Sequence, residues 1–83
     1  MNLKTKEQIA EIIKSIVGIN INSFDSSKEI NKISEWDSFN NLMLISEFQE
    51  KLNVEFSTIE IEEIITIKDL LNLLEKKTSS QKK

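Results

Sequence analysis

Asp37-Ser38-Phe39-Asn40-Asn41-Leu42-Met43-Leu44-Ile45-Ser46-Glu47-Phe48-Gln49-Glu50-Lys51-Leu52-Asn53 decides how the rest of this 83-residue chain is read. The stretch opens on two helix-capping residue types, and its apolar positions recur at helical spacing. At about 100° per residue, Leu42, Leu44, Ile45, Phe48 and Leu52 share one side of a helix that starts at Asp37 or Ser38 and ends near Asn53. Phe39 and Met43, four residues apart, project from the other side beside Ser46, Glu47 and Glu50. One helix of a small bundle needs one buried face; this one carries apolar groups on two.

Upstream, Ile9, Ile12, Ile13, Ile16 and Val17 form one stripe, so a first helix is predicted from about Thr5 to Val17. Thr5 and Gln8 have the spacing of a capping box, and Gly18 suits a left-handed stop. Residues 19–36 then make a long connection rich in Asn and Ser. Its scattered Ile19, Ile21, Phe24, Ile30, Ile33 and Trp36 predict that it packs down on the core, with a short helical turn starting at Ser26 or Ser27. Downstream, Val54 and Phe56 make an extended link. Ser57 and Glu60 form a second capping box for a short helix over Thr58 to Ile64. Thr66 and Asp69 start a last helix whose stripe is Ile67, Leu70, Leu71 and Leu74, with Lys76 and Lys77 at its negative end. Such stripes must hide on one another. The fold class is therefore all-α: a small four-helix bundle with a long loop between its first two main helices and a short third helix. One domain spans residues 1–77, and residues 78–83 form a disordered Lys-rich tail.

Composition narrows the chemistry. There is no His or Cys, hence no imidazole base, thiolate nucleophile, zinc finger or disulfide, and the single glycine writes neither a P-loop nor a dinucleotide fingerprint. Eleven lysines and no arginine face fourteen acids; without the four lysines of residues 76–83 the rest carries 7 Lys against 14 acids, or −7. An acidic body disfavours nucleic acid and favours partners with basic patches. No membrane span or export signal is legible, which points to a cytoplasmic monomer. Asp37 and Glu35 are the only acid–base candidates near the loop–helix junction, so the chain reads as a non-enzyme.

At that junction stands Trp36-Asp37-Ser38-Phe39. Ser38 falls in or just before a first helical turn, where free N–H groups and the helix dipole favour an anion, so a phosphate ester on its hydroxyl gains from both. Read from local chemistry alone, Asp37 or Ser38 is an ordinary N-cap. Trp36 reads as an apolar anchor holding the loop to the bundle.

Asp37-Ser38-Phe39 resembles the Asp-Ser-Leu signature of acyl carrier proteins, and Trp36 precedes it as in many of their stand-alone members. The similarity continues through Phe48-Gln-Glu-Lys-Leu-Asn-Val-Glu-Phe56, Glu62-Glu63-Ile64 and Ile65-Thr66-Ile67, covering roughly residues 5 to 77. This resemblance implies that a phosphopantetheinyl transferase, with magnesium, attaches 4'-phosphopantetheine from coenzyme A to Ser38, with Asp37 helping to orient the site. The arm's thiol would carry acyl groups as thioesters, which explains a carrier without cysteine. Acyl-loading and acyl-using enzymes with basic patches would approach along the second helix, over Phe39, Met43, Glu47 and Glu50, joined by Glu63 from the third. Leu42, Ile45, Ile61 and Ile64 would line any cavity for cargo.

Two departures from the family pattern stand out, the first bearing on which transferase and partners fit and the second, fewer acids on the second helix, pointing to a specialised pathway rather than bulk fatty-acid synthesis. Phe39 replaces the usual Leu, and Met43 and Lys51 stand where Glu is common. Two alternatives remain. An aminoacyl or peptidyl carrier usually shows Gly-Gly-x-Ser before its attachment point, whereas Ser34-Glu35-Trp36-Asp37 stands here. An unmodified helical adaptor would bind partners through Phe39 and Met43.

Overall fold

The structure, a computed structural model, describes residues 3–79. The apolar periodicities produce four helices: α1 (Leu3–Ile16), α2 (Ser38–Leu52), α3 (Thr58–Glu62) and α4 (Ile67–Ser79), with no strand among the described residues. α1 buries Ile9, Ile12 and Ile13 and stops where the stripe stops. Gly18 takes φ +87° and donates its N–H to the Lys14 carbonyl at 3.0 Å, satisfying an end-of-helix acceptor at a conformation side chains resist. The start differs from expectation. Leu3 and Lys4, both good helix formers, extend α1 upstream, so the Thr5–Gln8 pair lies inside the helix and does not begin it.

In α2, Leu44, Ile45, Phe48 and Leu52 are buried, but Leu42 is 62% exposed. Leu42 lies about 105° from the centre of that stripe at helical pitch, outside the arc that α1 and α4 cover. It therefore joins Phe39 and Met43 on the solvent side and belongs to no cargo lining. The helix is closed by Asn53 in the left-handed conformation, φ 56°.

The long connection folds onto the bundle through backbone pairing. Ile30 N donates to Ile65 O at 2.8 Å, Ile67 N to Lys28 O at 3.1 Å and Lys68 N to Ser26 O at 2.8 Å, around an isolated Glu29–Thr66 bridge. It contains two 3₁₀ turns, Ile21–Ser23 and Ile30–Lys32, the second entered through Glu29 without a side-chain cap. The predicted start at Ser26 or Ser27 is thus corrected. Ser27 is engaged by Asp25, whose carboxylate accepts its N–H at 2.9 Å and its hydroxyl at 2.8 Å.

Both downstream boxes form. Ser57 and Glu60 satisfy each other's backbone N–H groups, at 3.1 and 2.9 Å. Asp69 does the same with Thr66, and its Oδ2 also accepts from Ile65 N. α3 ends at Glu62, short of the predicted Ile64, and buries no residue. It is held from outside instead: Lys77 of α4 lies 2.9 Å from Glu60 and sits 5.5 Å above the Phe56 ring. α4 runs two residues past the predicted boundary at Lys77, with the Thr78 hydroxyl donating to Leu74 O; the rest of the expected tail, residues 80–83, lies outside the described residues.

The core joins α1, α2 and α4 through Ile9, Ile13, Leu44, Phe48, Ile67, Leu70 and Leu74. The connection adds Ile19, Ile21, Ile30, Ile33 and Trp36. Among the described residues no helix is long and apolar enough to cross a membrane.

Candidate functional site

Ser38 is the first residue of α2 and is exposed. Its position is set from both sides. Asp37 is the N-cap, its carboxylate accepting Asn40 N at 2.8 Å, and the Asn40 side-chain amide donates to Glu35 O at 2.9 Å, tying the turn to the helix. Trp36 is only 3% exposed, and its indole N–H donates to Asn41 Oδ1 at 3.0 Å. A wholly buried anchor thus stands two residues before an exposed hydroxyl. Asn40 N is taken by the cap and Asn41 N by the Asp37 carbonyl. The N–H groups of Ser38 and Phe39, at the first two helical positions, have no intrahelical acceptor by geometry.

Beside Ser38 runs an open groove of about 280 Å³, walled by Ile30, Asn31, Trp36, Asn41, Ile64 and Ile65. The loop supplies one wall, α2 the floor and the α3–α4 junction the other wall. The backbone bonds between Ile30 and Ile65 clamp the two walls together. Asn41 was legible as a groove residue in principle, since it lies one helical turn from Ser38. Ile30, Ile64 and Ile65 carry no local signal, because only the loop–junction pairing brings them there.

The other predicted residues separate. Phe39 is 69% and Met43 43% exposed, and both stand on the solvent side of α2 with Glu50. Glu47 lies one turn beyond Met43, at the edge of that side nearest α1. It pairs with Lys51 at 3.5 Å and lines a groove toward α1 with Gln8, Glu11 and Ile12. Glu63 follows α3 and lines a groove of about 260 Å³ with Asp69, Asn72 and Lys76, on the α4 side.

The carboxylates whose pKa is lowered are two helix-start acids, Glu60 and Asp69, and one turn acid, Asp25. Glu60 is held below the usual carboxylate range first by the Ser57 backbone N–H and then by Lys77. Asp69 is lowered by the Thr66 and then the Ile65 backbone N–H, and Asp25 by Ser27. None of the three lines the Ser38 groove. Chemically, then, the site is an exposed primary hydroxyl on a rigid helix end, with unbonded N–H groups beside it and an apolar, amide-edged groove alongside. No family model and no curated protein matches the chain.

Proposed function

We propose that the chain is a discrete acyl carrier protein, folded as an acyl-carrier-type bundle and modified with 4'-phosphopantetheine at Ser38. The observation that carries this reading is the exposed Ser38 hydroxyl at the entrance of a 15-residue helix, fixed by Asp37, Asn40 and Trp36. A phosphodiester on that oxygen fits the residues present. It meets the positive end of α2 and the N–H groups of Ser38 and Phe39. The adjoining groove offers apolar walls and the Asn31 and Asn41 amides to a slender, amide-containing arm.

In the modification step, Ser38 Oγ attacks the coenzyme A pyrophosphate. A new P–O bond forms as the phosphoanhydride breaks, the hydroxyl proton passes to a base of the transferase, and the adenosine nucleotide leaves. Asp37 keeps a carboxylate beside the reacting hydroxyl for the transferase and its magnesium. When attached, the arm supplies a thiol that holds acyl groups as thioesters. The chain's own residues do no bond-making after that; they fix the attachment point and raise the local concentration of cargo at each enzyme visited. The family departures at Met43 and Lys51 favour a specialised pathway.

Incubating the purified chain with coenzyme A, magnesium and a broad-specificity transferase should add one phosphopantetheinyl mass, abolished by Ser38→Ala. Wild type that gains no mass with several transferases refutes the reading. The exposed Phe39, Leu42 and Met43 favour one alternative, an unmodified adaptor. A native pull-down that survives Ser38→Ala but is lost in Phe39→Ala would select it.

A further inference from the structure

We infer that Asn41 is the residue that holds the prosthetic arm against the protein, its side-chain N–H donating to the arm's amide carbonyl nearest the phosphate. This rests on the carrier reading above and says where the arm lies when no enzyme has taken it. The fixed element is the Trp36–Asn41 pair. An indole N–H can only donate, so the Asn41 atom 3.0 Å from it is the carbonyl oxygen and not the nitrogen. Trp36 is 3% exposed and cannot turn away to release that oxygen. The two Nδ2 hydrogens are left over, on a half-buried residue that lines the Ser38 groove. Among the described residues they have no acceptor.

No other side chain of the groove offers a donor held this way. Asp37 can only accept, and its carboxylate already takes Asn40 N. The Trp36 N–H is used by Asn41. Asn31, on the opposite wall, is exposed, and among the described residues nothing fixes its amide.

Shape and spacing agree with a tethered occupant. Asn41 lies one helical turn past Ser38 on the same side of α2, which puts their Cβ atoms ~5–6 Å apart. The arm leaves Ser38 through a phosphodiester and a short gem-dimethyl spacer before its first amide, so that amide falls beside Asn41. The gem-dimethyl group then meets the apolar walls, Ile30, Ile64 and Ile65. At about 280 Å³ the groove is smaller than the ~300–1,000 Å³ sites that enclose a free ligand, and it suits a slender chain anchored at one end.

The test is NMR of the holo protein with an isotope-labelled arm, after mass spectrometry has established complete loading. In wild type the gem-dimethyl protons should give NOEs to the methyls of Ile30, Ile64 and Ile65. The Asn41 side-chain amide protons should move downfield between the apo and holo forms. Asn41→Asp keeps an oxygen for the Trp36 indole but has no N–H to give. It should weaken those NOEs about fivefold or more, the weight of one neutral hydrogen bond. The Trp36 indole signal and the melting temperature should stay near wild type. Asn31→Asp adds the same charge to the opposite wall and should leave the NOEs in place.

Equal loss in the two variants overturns the assignment, since added charge alone then explains it. A fully loaded wild type without these NOEs overturns it too, as does Asn41→Asp that leaves them unchanged, and in both cases the carrier reading stands. A chain that gains no phosphopantetheinyl mass sinks the carrier reading and this assignment together.

Discussion

Trp36→Ala should cost about 3 kcal/mol of folding free energy and disorder the groove beside Ser38. Trp36 is 3% exposed, so nearly all of its side chain leaves water on folding. A tryptophan buries roughly 150–250 Å², which at about 25 cal/mol per Å² is ~4–6 kcal/mol as an upper bound. Alanine keeps part of this, and a loop collapses around a deletion better than a helix interface, so the low end of the ~3–5 kcal/mol range for such truncations applies. The lost indole bond to Asn41, 3.0 Å long, accounts for about 1 kcal/mol of it. For a domain of this size the total stability is about 4–12 kcal/mol, and each kcal/mol is ~4–8 °C of melting temperature. The variant should therefore melt at least ~12 °C lower. Urea unfolding followed by far-UV circular dichroism measures the cost. A cycle of Trp36→Phe, Asn41→Ala and the double variant isolates the hydrogen bond, with a coupling of about 1 kcal/mol expected. A cost below about 1 kcal/mol for Trp36→Ala would mean that the loop does not hang on this side chain, and the account of how Ser38 is positioned would fail.

Removing the α2 cap by Asp37→Ala should destabilise by about 1 kcal/mol, whereas Ser38→Ala should leave the melt almost unchanged; a loss in Ser38→Ala with none in Asp37→Ala would show that Ser38 is the cap. Gly18→Ala meets no atom within 4 Å, so any cost is backbone strain at φ +87°, about 1–2 kcal/mol by chemical denaturation, and no loss at all would contradict the left-handed stop. Asp25, Glu60 and Asp69 hold protons less tightly folded than unfolded, because backbone N–H groups stabilise their charged forms. The stability they add is complete above about pH 5 and is lost as pH falls through ~4 and below. Thermal melts across that window should show the loss, and Glu60→Gln with Asp69→Asn should flatten it; an unaltered slope would remove these caps as its source.

Much of what depends on residues within one turn of each other was readable in advance, though the Thr5–Gln8 pair and the Ser26 or Ser27 start were misread. The Ser57–Glu60 and Thr66–Asp69 boxes, the Gly18 stop and the burial of Ile9, Ile13, Leu44 and Phe48 follow from hydrogen-bond reach and a 100° pitch, which are local rules, while the sequence left the α2 cap open between Asp37 and Ser38 and the structure assigns it to Asp37. Even the exposure of Ser38 follows, since a residue at a helix entrance just after a long loop faces water. Long-range packing decided the remainder. Periodicity grouped Leu42 with the buried stripe of Leu44, Ile45, Phe48 and Leu52, but the packing of the other segments leaves it 62% exposed. The walls of the Ser38 groove come from residues about thirty-five positions apart, Ile30 and Ile65, joined by a backbone hydrogen bond that no side-chain pattern encodes. The same holds for Lys77, whose ammonium reaches Glu60 and Phe56 across the helix packing. Helix formation is a nearest-neighbour property of the chain. Which apolar and charged faces stay open, and hence what can dock beside Ser38, is settled only when distant segments compete for the same surface.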